Sequence, residues 1–175
     1  MIRAEWNLTN ENIQIRNFYP CDVTSHHVDV LNNRNHMKYS RQRLKTHTLS
    51  TARIYFDELQ SNGGIALGIF DLNQHFCKGT VTILPVGESV SFGFLVYPEF
   101  ANSGVLSGSL PLILSKLSED ESLDWMHIGT HIDNIPMRRV AMKHGFKPVG
   151  IELIEKFNST PPRNINEIHF LRSCS

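Results

Sequence analysis

A loop of small residues, 101–107, has the features of an anion-binding site. Its sequence is Ala-Asn-Ser-Gly-Val-Leu-Ser, and it separates a predicted strand from a predicted helix. The unpaired backbone N–H groups and the dipole at a helix N-terminus favour a bound negative charge, and a pyrophosphate would fit. The alternative is an ordinary strand-to-helix turn in which Gly104 supplies a positive φ. Taken alone, the loop favours that alternative.

Two histidines, His127 and His131, stand four residues apart in a predicted strand. This even spacing places both side chains on one face of the strand. Imidazole titrates near neutrality, which suits proton transfer. The alternative for each is a surface histidine or a hydrogen-bonded structural one. The sequence has neither the H-E-x-x-H nor the paired C-x-x-C spacing of zinc sites, so we expect no metal.

A third candidate is the basic stretch that contains Tyr39, Arg41 and Arg43. Two guanidinium groups flanking Gln42 could bind a carboxylate or a phosphate, because each presents a planar fork of donors. A solvated basic loop explains the same residues equally well, so both interpretations stay open.

The composition predicts a single globular domain over residues 1–175, with 41% hydrophobic residues. Lys plus Arg and Asp plus Glu both number 17, which argues against a nucleic-acid partner, since phosphate neutralisation needs a basic excess. Three widely separated cysteines favour a reducing compartment. We find no signal-peptide pattern and no apolar run near the ~20 residues that span a bilayer, so we expect a cytoplasmic protein without a membrane partner.

Hydrophobic periodicity predicts the elements that must position these candidates. The predicted strands cover 13–18, 65–70, 75–84, 89–97, 123–132, 146–154 and 167–171. The predicted helices cover 22–32, with Asp22 or Thr24 as the cap, 50–60, with Ser50 as the cap, the segment after the 101–107 loop, and 134–145. A three-strand meander followed by strand-helix-strand units implies an α/β fold with one mixed sheet and helices on both faces. Where two neighbouring strands splay apart, a crevice can hold an extended ligand.

Segment 134–146 carries the most specific pattern in the chain. Asn134 suits an N-cap, Pro136 is tolerated in the first helical turn, and Gly145 suits a C-cap. The pattern N-x-P-x-x-R-V-A-x-K-x-G-F resembles the fourth helix of the GNAT N-acetyltransferase superfamily. It is most similar to the branch that contains ribosomal-protein N-terminal acetyltransferases. The matching positions are Asn134, Arg139, Val140, Ala141, Lys143, Gly145 and Phe146.

A second, partial match covers residues 93–104, which resemble the family's strand four and its coenzyme A loop. Pro98, Glu99, Phe100 and Gly104 stand at the expected positions. The departures are Ala101 in place of Gln or Arg, Leu106 in place of Gly or Ala, and Met137 in place of a small residue on the fourth helix.

The resemblance implies a GNAT-like sheet, an antiparallel meander followed by parallel pairing, with a splay between strands four and five (89–97 and 123–132). It implies acetyl-CoA as the cosubstrate. Pantetheine would lie along strand four and the pyrophosphate on the amides of the loop. The implied cofactor-binding residues are Phe94, Leu95, Val96, Asn102, Ser103, Gly104, Val105, Leu106, Ser107, Asn134 and Arg139.

The resemblance also implies direct acetyl transfer to a primary amine, either a small molecule such as an amino sugar or a protein N-terminus. Tyr39, Arg41 and Arg43 would then lie near the acceptor. Ser91 and Ala141 stand where many relatives carry a catalytic Glu and Tyr. His127 and His131 are therefore the candidate bases, with Glu99, Asp133 or a water relay as alternatives. The competing hypothesis is a non-catalytic acyl-CoA-binding or interaction module. We expect a monomer or a homodimer.

Overall fold

In the computed structural model, which describes residues 5–150 and 167–174, eight strands form one sheet in the order β1-β2-β3-β4-β5-β6-β8-β7. The strands are β1 Asn7–Thr9, β2 Ile13–Asn17, β3 Ile65–Asp71, β4 Cys77–Val86, β5 Ser89–Val96, β6 Trp125–His131, β7 Lys147–Val149 and β8 Glu167–Ser173. The helices are α1 Ser25–Asn32, α2 Leu49–Ser61, α3 Val105–Leu117 and α4 Ile135–Lys143.

One pair of neighbouring strands in the described sheet is parallel. Neighbouring strands from β1 to β5 pair antiparallel, β5 and β6 pair parallel, and β6–β8 and β8–β7 are again antiparallel. The predicted mixed sheet with a meander followed by parallel pairing is confirmed.

The parallel pair is short. It joins residues 89–92 to residues 125–128, although both strands continue beyond those positions. By contrast, β6 stays paired with β8 along its whole length, as far as the pair His131 and Glu167. An opening therefore separates the second half of β5 from the end of β6, which confirms the predicted splay.

The two faces of the sheet bury separate cores, as β3 shows. Leu67 and Ile69 point into the larger core, which includes residues of α3 and α4. Ala66 and Phe70 alternate with them and point into the smaller core, which includes residues of α1 and α2. Helices therefore cover both faces, as predicted. No helix in the described ranges is long and apolar enough to cross a membrane.

The first two helices begin at threonine caps. Thr24 accepts from the His27 amide, so Thr24, one of the two predicted caps, begins α1, and the Asp22 carboxylate instead pairs with Arg16 at 2.8 Å. Thr48 caps α2: its hydroxyl oxygen accepts from the Thr51 amide, and its own amide donates to the Thr51 hydroxyl. The predicted Ser50 cap of α2 is therefore wrong, because Thr48 accepts a hydrogen bond from an otherwise unpaired helix amide.

Helix α3 starts directly after Gly104 and continues through Pro111 to Leu117. The proline is exposed, whereas Leu110, Ile113 and Leu117 are buried. Packing of this apolar face offsets the loss of one backbone hydrogen bond.

The two ends of the sheet differ from the prediction. Strand β1 was not predicted, because its three residues carry too little periodicity. The strand predicted over 146–154 is shorter in the described residues, where it is Lys147–Val149 and pairs with β8. Residues 151–154 and the loop containing Pro161 and Pro162 lie outside the described ranges.

Gly79 on β4 allows close contact with β5, and its replacement provides a test of this packing. A Cβ at Gly79 would overlap the Leu95 carbonyl oxygen and lie 3.0 Å from the Val96 Cα. We expect Gly79→Ala to destabilise the protein by about 1–3 kcal/mol, measured by urea unfolding. The control is Gly108→Ala on α3, where the new Cβ meets nothing within 4 Å. It should be neutral or stabilising by about 0.5–1 kcal/mol, and equal losses in both variants would contradict the packing argument.

Candidate active site

The opening between β5 and β6 leaves backbone groups of β5 without a strand partner. The Tyr97 amide donates to the Lys78 carbonyl oxygen at 2.9 Å, so Tyr97 and, two residues earlier, Leu95 direct their backbone groups toward β4. By the same alternation, Phe94 and Val96 direct theirs toward the opening. An extended ligand could therefore pair as an added strand with Phe94 and with the Val96 amide, since the Val96 carbonyl accepts from His36 Nε2.

The loop after β5 ends in a helix N-terminus. Asn102 and Gly104 have φ values of 62° and 80°, and the first helical hydrogen bond runs from the Gly108 amide to the Gly104 carbonyl at 2.8 Å. The amides of Val105, Leu106 and Ser107 precede that bond. A Cβ at Gly104 would meet nothing within 4 Å, so the space beside this turn is open. The predicted positive φ is confirmed, and the same geometry suits an anion.

Asn134 links α4 to the end of β6. Its side-chain oxygen accepts from the Met137 amide at 3.4 Å, and its amide nitrogen donates to the Thr130 hydroxyl at 3.0 Å. The predicted cap is confirmed, and the residue that begins α4 is thereby fixed beside the opening. Arg139 lies exposed on the same helix.

A cavity of about 510 Å³ lies on the α1–α2 side of the sheet. Its floor includes Thr80, Thr82, Gly93 and Leu95 of β4 and β5, and Tyr55 of α2 forms part of the wall. Hydroxyl groups, aromatic rings and aliphatic side chains thus share the described surface. Such a mixture suits a small polar molecule with some apolar surface.

The three residues predicted to contact an acceptor do not line this cavity, although residues between them do. Tyr39 stacks on His131 with ring centroids 5.4 Å apart. Arg41 pairs with Glu167 at 2.9 Å, and Arg43 donates to the Lys38 carbonyl at 2.7 Å. In the described part of the chain, the cavity is lined instead by the intervening Ser40 and Gln42, which sequence reasoning missed.

Residues 36–41 form a strap that connects three strands. His36 Nε2 donates to the Val96 carbonyl of β5 at 2.8 Å. Tyr39 contacts His131 of β6, and Arg41 contacts Glu167 of β8. Because β5 and β6 flank the opening, the strap crosses it on the α1–α2 side of the sheet.

His127 belongs to a hydrogen-bonded row of side chains on that same side. Its Nδ1 lies 2.9 Å from the Ser91 hydroxyl and its Nε2 lies 3.0 Å from His169 Nδ1. Burial, followed by the repulsion of His169, lowers the pKa of His127 to about 4. Burial also lowers the pKa of His169. Both rings are therefore neutral near pH 7.

His131 lies on the same face but has different contacts. Its Nδ1 accepts from the Asp133 amide at 3.2 Å, and its ring stacks on Tyr39. Sequence reasoning selected both histidines but missed His169, which is 42 residues from His127 and meets it only through the β6–β8 pairing. In the described ranges, no group of three or more His, Cys, Asp or Glu residues is arranged to hold a metal ion.

Residues 12–147 match the acetyltransferase (GNAT) domain family. The chain belongs to the GNAT acetyltransferase family. Its class is therefore that of the acyl-CoA-dependent N-acetyltransferases, and the predicted resemblance is confirmed. No curated protein sequence is significantly similar to this chain.

Solved GNAT structures share the fold at low sequence identity. The RimL ribosomal L7/L12 α-N-protein acetyltransferase in complex with coenzyme A is 16% identical, with a TM-score of 0.75 over 95% of this chain and 96% of that one. The microcin C7 self-immunity acetyltransferase MccE, in complex with acetyl-CoA and AMP, is 13% identical, with a TM-score of 0.74 over 94% and 93%. Spermidine N-acetyltransferase from Vibrio cholerae, in complex with CoA and spermine, is 16% identical, with a TM-score of 0.73 over 94% and 96%.

The buried histidines predict how stability depends on pH. Burial lowers the pKa of both His27 and His127 from 6.5 to about 4. Their contribution to stability is complete above about pH 6.5 and is lost as the pH falls toward 4, because the unfolded chain binds the protons more readily. Between pH 7 and pH 5 we expect a loss of roughly 2 kcal/mol per histidine, measured by urea unfolding.

His27→Asn should reduce this pH dependence, because asparagine can keep a hydrogen bond to the Tyr97 hydroxyl, 2.8 Å from His27 Nδ1, without titrating. The control is His75→Asn at an exposed turn with φ 58°, where asparagine is tolerated. An unchanged slope in His27→Asn would contradict the assignment.

Proposed function

We propose that this protein transfers an acetyl group from acetyl-CoA to a primary amine by direct attack on the thioester. The opening between β5 and β6 carries the proposal, because it connects the 101–107 loop with the cavity on the other side of the sheet. A cosubstrate bound along one side of this opening would present its thioester to an amine held in the cavity. Proximity and orientation would then supply much of the acceleration.

The proposed acetyl-CoA site follows β5 and the start of α3. Pantetheine would pair with the backbone of Phe94 and with the Val96 amide, while the Leu95 side chain lines the cavity. The pyrophosphate would bind the amides of Asn102, Ser103, Gly104, Val105, Leu106 and Ser107. Ala101 departs from the family pattern, but the proposed contacts use backbone groups and do not require a side chain there. Asn134 would face pantetheine, and the exposed Arg139 would lie near the cofactor.

The cavity favours a small polar amine such as an amino sugar. Tyr55 offers an apolar ring face, and the Thr80 and Thr82 hydroxyls can bind the hydroxyls of such a ligand. Among the described lining residues, Glu58 is the one carboxylate and Lys45 the one ammonium. A polyamine would meet too few negative charges there. A peptide N-terminus, the acceptor type named for the RimL relative, remains the alternative acceptor.

In the proposed reaction, the free amine attacks the thioester carbonyl, the carbon–sulfur bond breaks, and CoA leaves. A β5 amide directed into the opening would polarise the carbonyl. His127 is the better placed of the two candidate bases, because it lies where β5–β6 pairing ends and contacts Ser91. We further propose that the protein is cytoplasmic, which its three free cysteines support. We also propose that it is a monomer or a homodimer and has no nucleic-acid partner.

The acceptor can be tested with a panel of amines and detection of free CoA. We expect turnover with an amino sugar or a peptide carrying a free N-terminus, and slower turnover with spermidine. The matched controls are the same compounds already acetylated on nitrogen, which have no amine to react. Acetyl-CoA binding by calorimetry without CoA release from any amine would favour the non-catalytic alternative, which draws support from Ser91 and Ala141 at the family's Glu and Tyr positions.

Gly104 tests the proposed pyrophosphate site. Gly104→Val should lower the free energy of unfolding by about 1–2 kcal/mol, because Gly104 has a positive φ. It should also weaken acetyl-CoA binding about tenfold or more, measured by calorimetry, because a side chain would enter the space beside the loop amides. Gly87→Val is the matched control, since Gly87 also has a positive φ and open surroundings but lies in the β4–β5 turn. Equal acetyl-CoA affinity in both variants would make Gly104 purely structural.

A further inference from the structure

His27 is a buried histidine in the wall of the cavity. Only 1% of its surface is exposed, and it is one of the residues that line the cavity. Its ring packs against the Phe18 and Phe56 rings, with centroids 5.5 Å and 5.6 Å away. Its backbone is fixed as well, because the His27 amide donates to the Thr24 cap of α1. The ring is therefore held in place before any ligand binds.

The two ring nitrogens of His27 have different surroundings. Nδ1 lies 2.8 Å from the Tyr97 hydroxyl. Nε2 has no hydrogen-bond partner among the residues that the structure describes, yet it is not one of the fully buried unpaired nitrogens. Because His27 lines the cavity and is otherwise enclosed, Nε2 is open to the cavity.

The contacts of Tyr97 determine which His27 nitrogen carries the proton. The Cys77 thiol donates to the Gly79 carbonyl oxygen at 3.2 Å, and a carbonyl can only accept, so the sulfur is left as an acceptor. The Tyr97 hydroxyl hydrogen-bonds this thiol and therefore gives its proton to the sulfur. The Tyr97 oxygen then accepts from His27 Nδ1–H.

The ring of His27 is neutral near pH 7 and carries a single proton. Burial, followed by the repulsion of His26 and His47, lowers the pKa of His27 to about 4. With its one proton on Nδ1, the ring presents the lone pair of Nε2 to the cavity. A lone pair in such an enclosed place costs free energy until it meets a donor, and a bound molecule would supply one.

We propose that His27 Nε2 accepts a hydrogen bond from a hydroxyl group of the amine substrate, and so selects hydroxylated amines such as amino sugars. This inference rests on the proposed acetyl transfer and deepens it, because it names a residue that sets substrate specificity. His27 takes no proton from the substrate in this role.

The position of His27 favours contact with a hydroxyl over contact with the reacting amine. Gly93 lines the cavity floor, and Tyr97, which holds His27, comes four residues later in the chain. The proposed base, His127, lies toward the Gly93 end, because it contacts Ser91. A substrate whose amine points toward His127 therefore directs its other groups toward His27. On an amino sugar those groups are hydroxyls.

The test uses two substitutions that each keep one of the two nitrogen positions. His27→Asn places an amide near Nδ1 and loses Nε2, whereas His27→Gln extends its amide toward the position of Nε2. For an amino sugar that the wild-type protein acetylates, we expect His27→Asn to raise KM about fivefold or more, with KM for acetyl-CoA unchanged. His27→Gln should keep an amino-sugar KM nearer the wild-type value, although it loses the bond to Tyr97 and should unfold at a lower temperature. A purely structural role predicts the opposite order, with His27→Gln the more impaired enzyme.

Two controls separate binding of a hydroxyl from general damage. Cyclohexylamine has a six-membered ring and an amine but no hydroxyl, so its kcat/KM should be the same in the wild-type protein and in His27→Asn. His75→Asn, at the exposed turn, should leave both KM values unchanged. A wild-type KM for the amino sugar in His27→Asn, an equal loss with cyclohexylamine, or turnover only of amines without hydroxyls would refute the role of His27 and leave acetyl transfer intact.

A second measurement needs no turnover. Long-range ¹H–¹⁵N spectra of the wild-type protein at pH 7 should show the His27 proton on Nδ1 and none on Nε2. A proton on Nε2 would refute the inference, because the ring would then donate into the cavity, and acetyl transfer would be unaffected. A protein that binds acetyl-CoA but acetylates no amine would instead refute the proposed function, and the role of His27 with it.

Discussion

The early end of hydrogen bonding between β5 and β6 is the constraint on which the rest of the site depends. Past Phe92 and Ile128 each strand is held by a different set of contacts, β5 by β4 and β6 by β8. Asn134 fixes the end of β6 through Thr130, while His36 reaches Val96 from the strap. Unpaired backbone groups would be costly in a closed sheet. Here the Phe94 groups and the Val96 amide have no strand partner, and they form the surface that a ligand could use.

Local signals predicted much of the fold. The 134–146 helix carries its own cap and terminating glycine, and alternating apolar residues marked the meander. The pairing of β8 between β6 and β7 could not be predicted, because register depends on contacts between residues far apart in sequence. For the same reason the contact between His127 and His169 could not be predicted, since nothing near His127 in the sequence indicates His169. The small residues of the 101–107 loop marked it as a candidate anion site, whereas nothing in the sequence predicted which residues line the cavity.

The strap shows that residue type alone does not predict which side chains of this stretch line the cavity. Arg41 and Arg43 are the most conspicuous residues of that stretch, yet they bind Glu167 and a backbone carbonyl. The less conspicuous Ser40 and Gln42 line the cavity. Long cationic side chains can hold a loop in place as readily as they bind an anion, and the direction of each side chain depends on the turn that carries it.

The position of the strap has a consequence for how two ligands would enter and leave the site. The sheet separates its α1–α2 side from its α3–α4 side, and the opening between β5 and β6 connects the two sides. With the strap across the opening on the α1–α2 side, a cosubstrate in the proposed site along β5 and a small molecule in the cavity would meet at the opening without sharing an entrance. Either could therefore exchange while the other stays in place, which favours kinetics through a ternary complex without an imposed order of product release.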